Sequence, residues 1–385
     1  MGKTILVLGG GIGGINTAKE LNRKIGNEDG INLARILVFE KDEKNVFGPS
    51  LTWLMVGKRE MEEVYRETKD AEIGGIEIIL GDIESVDPEN ISVTSGGKKY
   101  KGDYMVVSLG VEQSSEYHLG LLGHNFYTLE GAASFYDDLK EFKGGKITIV
   151  VPSLPYKSPV APYEATMLVE NYIREHGLRD KTEIALYTPE SEPMPFAGQE
   201  ISENVKELMK SKGVQYKPNH QLVSGSDKTL VFKTDSEGRK EVDFSLMAYT
   251  PKHECPSVIK DTGLVGESGW IEVDRKTMET DFSNVYAIGD ITAIRLDSGE
   301  TLPKAGVFAQ YQGHIVAHNI ARDISGKSPD EIFEGEGEYI LELGGDKAQK
   351  IKGNFYETDV DAKKSSMIRH WEKVLFEKSW FIKNF

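Results

Sequence analysis

Residues 4–14 constrain the fold of this chain more than any other stretch. Thr4-Ile5-Leu6-Val7-Leu8 is a short, apolar, partly β-branched run and reads as a buried strand. It leads straight into Gly9-Gly10-Gly11-Ile12-Gly13-Gly14, followed by a helical pattern in Ile15, Ala18 and Leu21. Glycines at G-x-G-x-x-G spacing between a strand and a helix bring backbone close to a pyrophosphate. Gly9 permits the tight turn, Gly11 leaves room for the ligand, and Gly14 lets helix and strand pack closely. The helix N-terminus, from Gly13 onward, then offers unpaired N–H groups and the positive end of its dipole. The next predicted strand, 34–39, ends in Glu40 and Lys41, placing a carboxylate to accept hydrogen bonds from a ribose.

Which dinucleotide is meant follows from two more distant stretches. Val285-Tyr286-Ala287-Ile288-Gly289-Asp290 is an apolar strand that delivers an aspartate at a Gly-Asp turn, as flavoproteins do beside the ribityl and pyrophosphate of FAD. A weaker strand, 104–107, ends at Ser108-Leu109-Gly110 between the two. Three elements in this order predict bound FAD. Ile83 is expected near the adenine, and the proline-punctuated loop 47–53, with Ser50, beside the flavin. Lys304-Ala305-Gly306 opens a further predicted helix, where a lysine is unusual because the helix dipole disfavours positive charge. Lys304 and that helix N-terminus are expected to stabilise negative charge on a reduced flavin.

The remaining composition narrows the class. A chain of 385 residues is long enough for two domains and a tail, each with a core. Its formal charge of −16 argues against a nucleic-acid partner. One cysteine, Cys255, excludes an internal disulfide and a cysteine metal cluster, and no His, Asp and Glu spacing suggests a metal. Cys255 and His253 sit in one loop, the first a candidate nucleophile and the second a candidate proton carrier. No cysteine lies near the N-terminal elements, so FAD is expected to be non-covalent. The first residues already read as a strand, so no signal peptide is expected, and no apolar run reaches spanning length.

The reading is α/β, with two Rossmann-like domains. Residues 1–112 and 251–325 form an FAD-binding domain, and 113–250 a second dinucleotide-type domain. In the second, the strand at 146–151 is followed by Pro152-Ser153-Leu154-Pro155-Tyr156-Lys157-Ser158-Pro159, not by a glycine fingerprint. Proline lacks the N–H a pyrophosphate needs, so no second cofactor is expected there. Residues 326–385 form a C-terminal segment. Its last 25 residues carry six basic against three acidic residues, with Trp371, Phe376, Trp380 and Phe381 at roughly helical spacing. Such a helix suits a membrane interface or, alternatively, the core or the partner copy of a homodimer.

With these motifs the chain resembles the sulfide:quinone oxidoreductases, the flavin subunit of flavocytochrome c sulfide dehydrogenase and, more distantly, the type II NADH dehydrogenases. The resemblance runs through the fingerprint, the loop at 47–53, Tyr156–Glu164, Tyr249–Leu264, Tyr286–Asp290, Lys304–Ala309 and Gly337–Gly344. It implies a two-dinucleotide-binding flavoprotein passing two electrons from a small donor, sulfide by resemblance, through FAD to a quinone. It also implies quinone contacts at Phe308, Gln310, Gln312, Trp380 and Phe381, and a cytoplasmic chain peripheral on the inner face of the cell membrane. Members of this group attack sulfide with paired cysteines, where this chain carries Ser158 and Tyr339. Glu164 is a further candidate base. An NADH:quinone oxidoreductase and a flavin-binding protein without turnover remain as alternatives.

Overall fold

A computed structural model describes residues 2–25, 34–70, 74–235 and 238–385. Two five-stranded parallel sheets organise it. In the first, β1 (Lys3–Leu8) lies at the centre, β2 (Ala34–Glu40) and β3 (Ile76–Leu80) on one side, and β4 (Tyr104–Val107) on the other. Ile5 to Leu8 are wholly buried, as expected of a central parallel strand covered on both faces. The register pairs Lys3 with Ala34 and Leu8 with Phe39, which sets the end of β1 beside the end of β2.

The second sheet repeats the wiring. Its strands are β5 (His124–Asn125), β6 (Gly145–Val150), β7 (Thr182–Tyr187), β8 (Gln215–Lys217) and β9 (Leu246–Tyr249), in the order β5-β9-β6-β7-β8. Helix α1 (Ile12–Ile25) joins β1 to β2, and helix α3 (Ala161–Glu175) likewise joins β6 to β7; α2 (Leu129–Glu141) precedes β6. The chain returns to the first sheet with β10 (Val285–Ala287), which pairs with β4. The two passages between the sheets, Glu112–Ser114 and Lys252–Glu254, pair antiparallel side by side.

Helix α4 (Gln199–Ser211) belongs to the second unit, and α5 (Gly306–Ile324) packs on α1 through small residues. A Cβ at Gly13 would press on Ala309 and Ile288, and one at Gly313 on the Gly13 carbonyl. After α5 come a three-stranded antiparallel sheet, β11 (Glu336–Gly344), β12 (Lys347–Asn354) and β13 (Asp359–Ala362), and the last helix, α6 (Met367–Asn384).

Helix α6 is docked along one face. Trp380 and Phe381 are buried against Phe47, with ring centroids 6.1 and 5.9 Å apart, and against Ile15. These two aromatics were expected at a quinone or membrane; packing on the first domain takes them out of reach of either. The opposite face leaves Ile368, Trp371, Leu375 and Ile382 exposed, Ile382 at 82%. Among the described residues no helix is long and apolar enough to cross a membrane.

Candidate active site

The glycine turn opens a continuous cleft of about 2630 Å³. Gly9 adopts φ +102°, in the range open to glycine, and its N–H donates to the Phe39 carbonyl at 2.8 Å. A Cβ at Gly14 would overlap the Gly9 carbonyl oxygen, whereas one at Gly11 would meet nothing within 4 Å. Gly14 is therefore demanded by the protein itself, and Gly11 by whatever occupies the cleft. Glu40 accepts the Gly10 N–H at 2.7 Å and the Lys41 and Asp42 N–H groups at 2.8 and 2.9 Å. Burial pushes its carboxyl above the usual range despite these donors.

Beyond the turn the cleft is walled by Lys41, Ile83, Gly110, Gly289 and Asp290. Asp290 is half-buried, with a buried Oδ1 that lacks any hydrogen-bond partner among the described residues, and burial raises its pKa against Lys157 and Lys304. Such an orphaned acceptor fits the hydroxyl donors of a ribityl chain. Gln312 holds this turn: its Oε1 accepts the Gly289 N–H at 2.7 Å, and the side chain is buried. The expected quinone contact at Gln312 is thereby corrected, since its acceptor is already committed. Phe308 is corrected too, being buried among Phe333, Tyr339 and Phe355. Gln310 does face the cleft.

Lys304 sits deeper than a solvated side chain. Its Nζ donates to the Asp290 carbonyl at 2.6 Å and the Thr292 carbonyl at 3.2 Å, and lies 3.3 Å from the Trp270 ring centroid. Burial pushes its ammonium down to about 8, against the Asp290 charge. Ala305 caps α5 without a side-chain acceptor, and Ala305, Gly306 and Val307 border the cleft. A cation and a helix N-terminus thus converge where negative charge is to be held.

Ser158 and Tyr339 both border the cleft. Ser158 is held at φ +55° by its N–H bond to the Lys304 carbonyl at 2.7 Å. The Tyr339 hydroxyl is buried without a partner among the described residues; burial, then the Asp290 charge, keep it protonated. Neither can form a disulfide or carry a persulfide.

Three expectations fail here for reasons of packing. Cys255 is 3% exposed within the apolar cluster of Ile259, Leu264 and Trp270, and burial pushes its thiol up, so it is no nucleophile. His253 is pushed down to about 3 by burial, then by Lys157 and Lys304, so it stays a neutral imidazole and takes up no second proton near neutral pH. Ser50 turns away from the cleft to donate to Glu377 Oε1 at 2.6 Å, beside the Arg59–Glu377 ion pair.

Sequence reasoning missed Lys373. From α6 it reaches Glu164 on α3 at 2.6 Å, both buried, and Glu164 also accepts the Glu342 N–H at 2.9 Å. Burial raises the Glu164 carboxyl and Lys373 opposes it. With Leu375 and Phe376 the pair borders the cleft. A lysine among the apolar positions of the tail was the only signal.

The doubled parallel sheets and the fingerprint cleft define the two-dinucleotide-binding flavoprotein fold, and the residues present fit FAD. Residues 160–313 match the family described as pyridine nucleotide-disulphide oxidoreductase. The mitochondrial sulfide:quinone oxidoreductase of Mus musculus is 27% identical over 75% of this chain, and that of Dictyostelium discoideum 29% over 74%. The alignments take in 65% and 64% of those two proteins, just under two thirds of their lengths. The X-ray structure of the sulfide:quinone oxidoreductase from Aquifex aeolicus superposes at a TM-score of 0.87, with 22% identity, over 99% of this chain and 91% of that one. By these matches the chain is similar to the pyridine nucleotide-disulphide oxidoreductases over residues 160–313 and shares its fold with a sulfide:quinone oxidoreductase, although it carries only one cysteine.

Proposed function

We propose that this protein is an FAD-dependent oxidoreductase of the sulfide:quinone oxidoreductase type. It takes two electrons from a small donor, sulfide by likeness to its relatives, and passes them to a quinone. The observation that carries the reading is one continuous cleft bordered by the glycine turn, by Lys304, Ser158 and Tyr339, and by Lys373, Leu375 and Phe376. Bound FAD would supply the two-electron chemistry. Glu40 and Asp290 would bind its ribose and ribityl hydroxyls, and Lys304 with the α5 N-terminus would hold charge near its pyrimidine end. Burial raises the Glu164 carboxyl, which with Lys373 borders the same cleft and would stand beside a quinone that needs two protons. With no thiol at the cleft, oxidised sulfur leaves on a small acceptor and is not held on the protein.

We also assign residues 1–112 and 251–325 to the FAD-binding unit, supported by the pairing of Val285–Ala287 with Tyr104–Val107. The exposed stripe Ile368, Trp371, Leu375 and Ile382 borders the cleft mouth through Leu375, which supports peripheral docking on a membrane surface and entry of an apolar acceptor there. We place it on the inner face of the cell membrane.

The test is the visible spectrum of the purified protein under nitrogen, with sulfide, then NADH, then a short-chain quinone. Flavin bleached by sulfide and restored by the quinone is expected. Absence of flavin overturns the reading, and bleaching by NADH alone would transfer it to the NADH:quinone oxidoreductases.

A further inference from the structure

Glu190 stands just beyond β7, the counterpart of Glu40 at the end of β2, yet its surroundings are the reverse. It is 5% exposed and touches no cation among the described residues. Three hydroxyls converge on its carboxylate: Tyr163 at 2.6 Å, Thr188 at 2.9 Å and Tyr156 at 3.1 and 3.2 Å. Tyr127, Tyr216 and Glu300 are the other titratable groups that feel its charge.

Tyr156 connects this cluster to the cleft. The next two residues, Lys157 and Ser158, bridge to Lys304, with the Ser158 N–H on the Lys304 carbonyl at 2.7 Å. The Tyr127 hydroxyl donates to the Lys157 carbonyl at 2.9 Å from the other side. The cleft wall at Lys157–Ser158 therefore lies between two tyrosine hydroxyls, and that of Tyr156 is nearer to Glu190 than to its other acceptor, the Pro159 carbonyl at 3.4 Å.

We infer that Glu190 is a positioning residue, whose carboxylate fixes the Lys157–Ser158 wall against Lys304 through Tyr156. An ionised carboxylate offers acceptors only and takes all three hydroxyls; Tyr163 and Thr188 donate to Oε2, so a proton on the carboxyl goes to Oε1, where it competes with the Tyr156 O–H. Tyr156, the longest of the three bonds, is the one released. Burial places this change near neutrality, with Glu190 pushed up to about 7. The hydroxyl bonds favour the charged form while burial penalises it. Local order at 156–158 thus rises with pH even as the cost of the buried charge grows.

Amide hydrogen exchange of the whole protein tests this between pH 5.5 and 7.5, corrected for intrinsic rates, a range below the Lys304 transition and above that of His253. Protection of residues 156–159 is expected to rise about tenfold over this range, as for one hydrogen bond to a charged group, while β1 stays constant. Tyr156→Phe should show the low protection at both pH values, and Glu190→Gln should remove the pH response. Equal wild-type protection at both values overturns the inference. So does a pH response retained in Tyr156→Phe, which remains decisive if Glu190→Gln fails to fold. None of these readouts requires sulfide, NADH or quinone, so the function proposed above can fail while this inference stands.

Discussion

The two strand-to-helix turns of this protein start from the same topology and end in opposite states. After β1, Gly9 to Gly14 leave an open floor, with nothing near the position a Gly11 side chain would take. After β6, the chain runs through four prolines to Tyr163, and its side chains fill the space themselves: Tyr156 and Tyr163 reach inward to Glu190. The carboxylates make the same contrast. Glu40 accepts backbone N–H groups and still faces the cleft, whereas Glu190 is enclosed by hydroxyls from its own chain. A repeated fold thus yields an open cleft in one copy and a filled turn in the other. Side-chain volume and proline decide between them, not topology.

The largest effect is expected at Gly14. Gly14→Ala drives a methyl into the Gly9 carbonyl and should cost about 3 kcal/mol or more, read as a collapse of the melting temperature and of bound flavin. Gly11→Ala should leave the melting temperature alone and remove only the flavin. If both variants melt alike, the floor of the first turn is structural and the comparison breaks.

The paired glutamates come next. Removing the Glu190 side chain (Glu190→Ala) strands three hydroxyls and should destabilise by about 2 kcal/mol or more with flavin retained. Glu40→Ala should instead weaken FAD binding at least tenfold, the scale of one hydrogen bond to a charged group, measured by flavin titration of the apoprotein. Glu190 also predicts a pH dependence. Its pKa is raised from 4.5 to about 7 by burial, so between those values the folded state keeps a proton that the unfolded state has lost. Stability should therefore fall as pH rises from 4.5 to 7, by about 3 kcal/mol, and level off above. Urea melts across this range check it, and Glu190→Gln should flatten the curve.

A smaller effect is expected at Lys304. Lys304→Met should lower the flavin reduction potential by about 30 mV, equivalent to about 1.4 kcal/mol for two electrons. The gap from the wild type should close above pH 8, because burial pushes the Lys304 pKa down to about 8 and the cation is lost there. Spectroelectrochemistry at pH 7 and 9 decides it. The smallest effect is at Cys255, where Cys255→Ala should shift stability by about 1 kcal/mol and leave the rate of flavin reduction unchanged.

Much of the cofactor end was legible because its signals are local. A strand, a turn and a helix start lie within a dozen residues, and Glu40 and Asp290 each end a strand whose apolar run is visible by itself. The part of the cleft lined by α6 was not. Glu164 and Lys373 are 209 residues apart and meet only because α6 folds back onto α3. Trp380 and Phe381 look the same in sequence as Trp371 and Leu375. Yet the first two pack on Phe47 and the second two face outward, since the orientation of α6 is set by its partners. Gln312, Phe308 and Ser50 were misread for the same reason: each lies on or near a correctly recognised element but points to its other side.

By itself the sequence determined the class of ligand, since only glycine permits the Gly9–Gly14 turn and only missing N–H groups and bulk close the turn after β6. It also determined the absence of thiol chemistry at Ser158 and Tyr339. The tertiary structure decided what burial and distance control: a Lys304 ammonium held near neutrality, a Cys255 thiol sealed in the core, and a Glu190 carboxylate enclosed by tyrosines. Charge state depends on desolvation and on neighbours remote in the chain, and neither exists until the two sheets and α6 have come together.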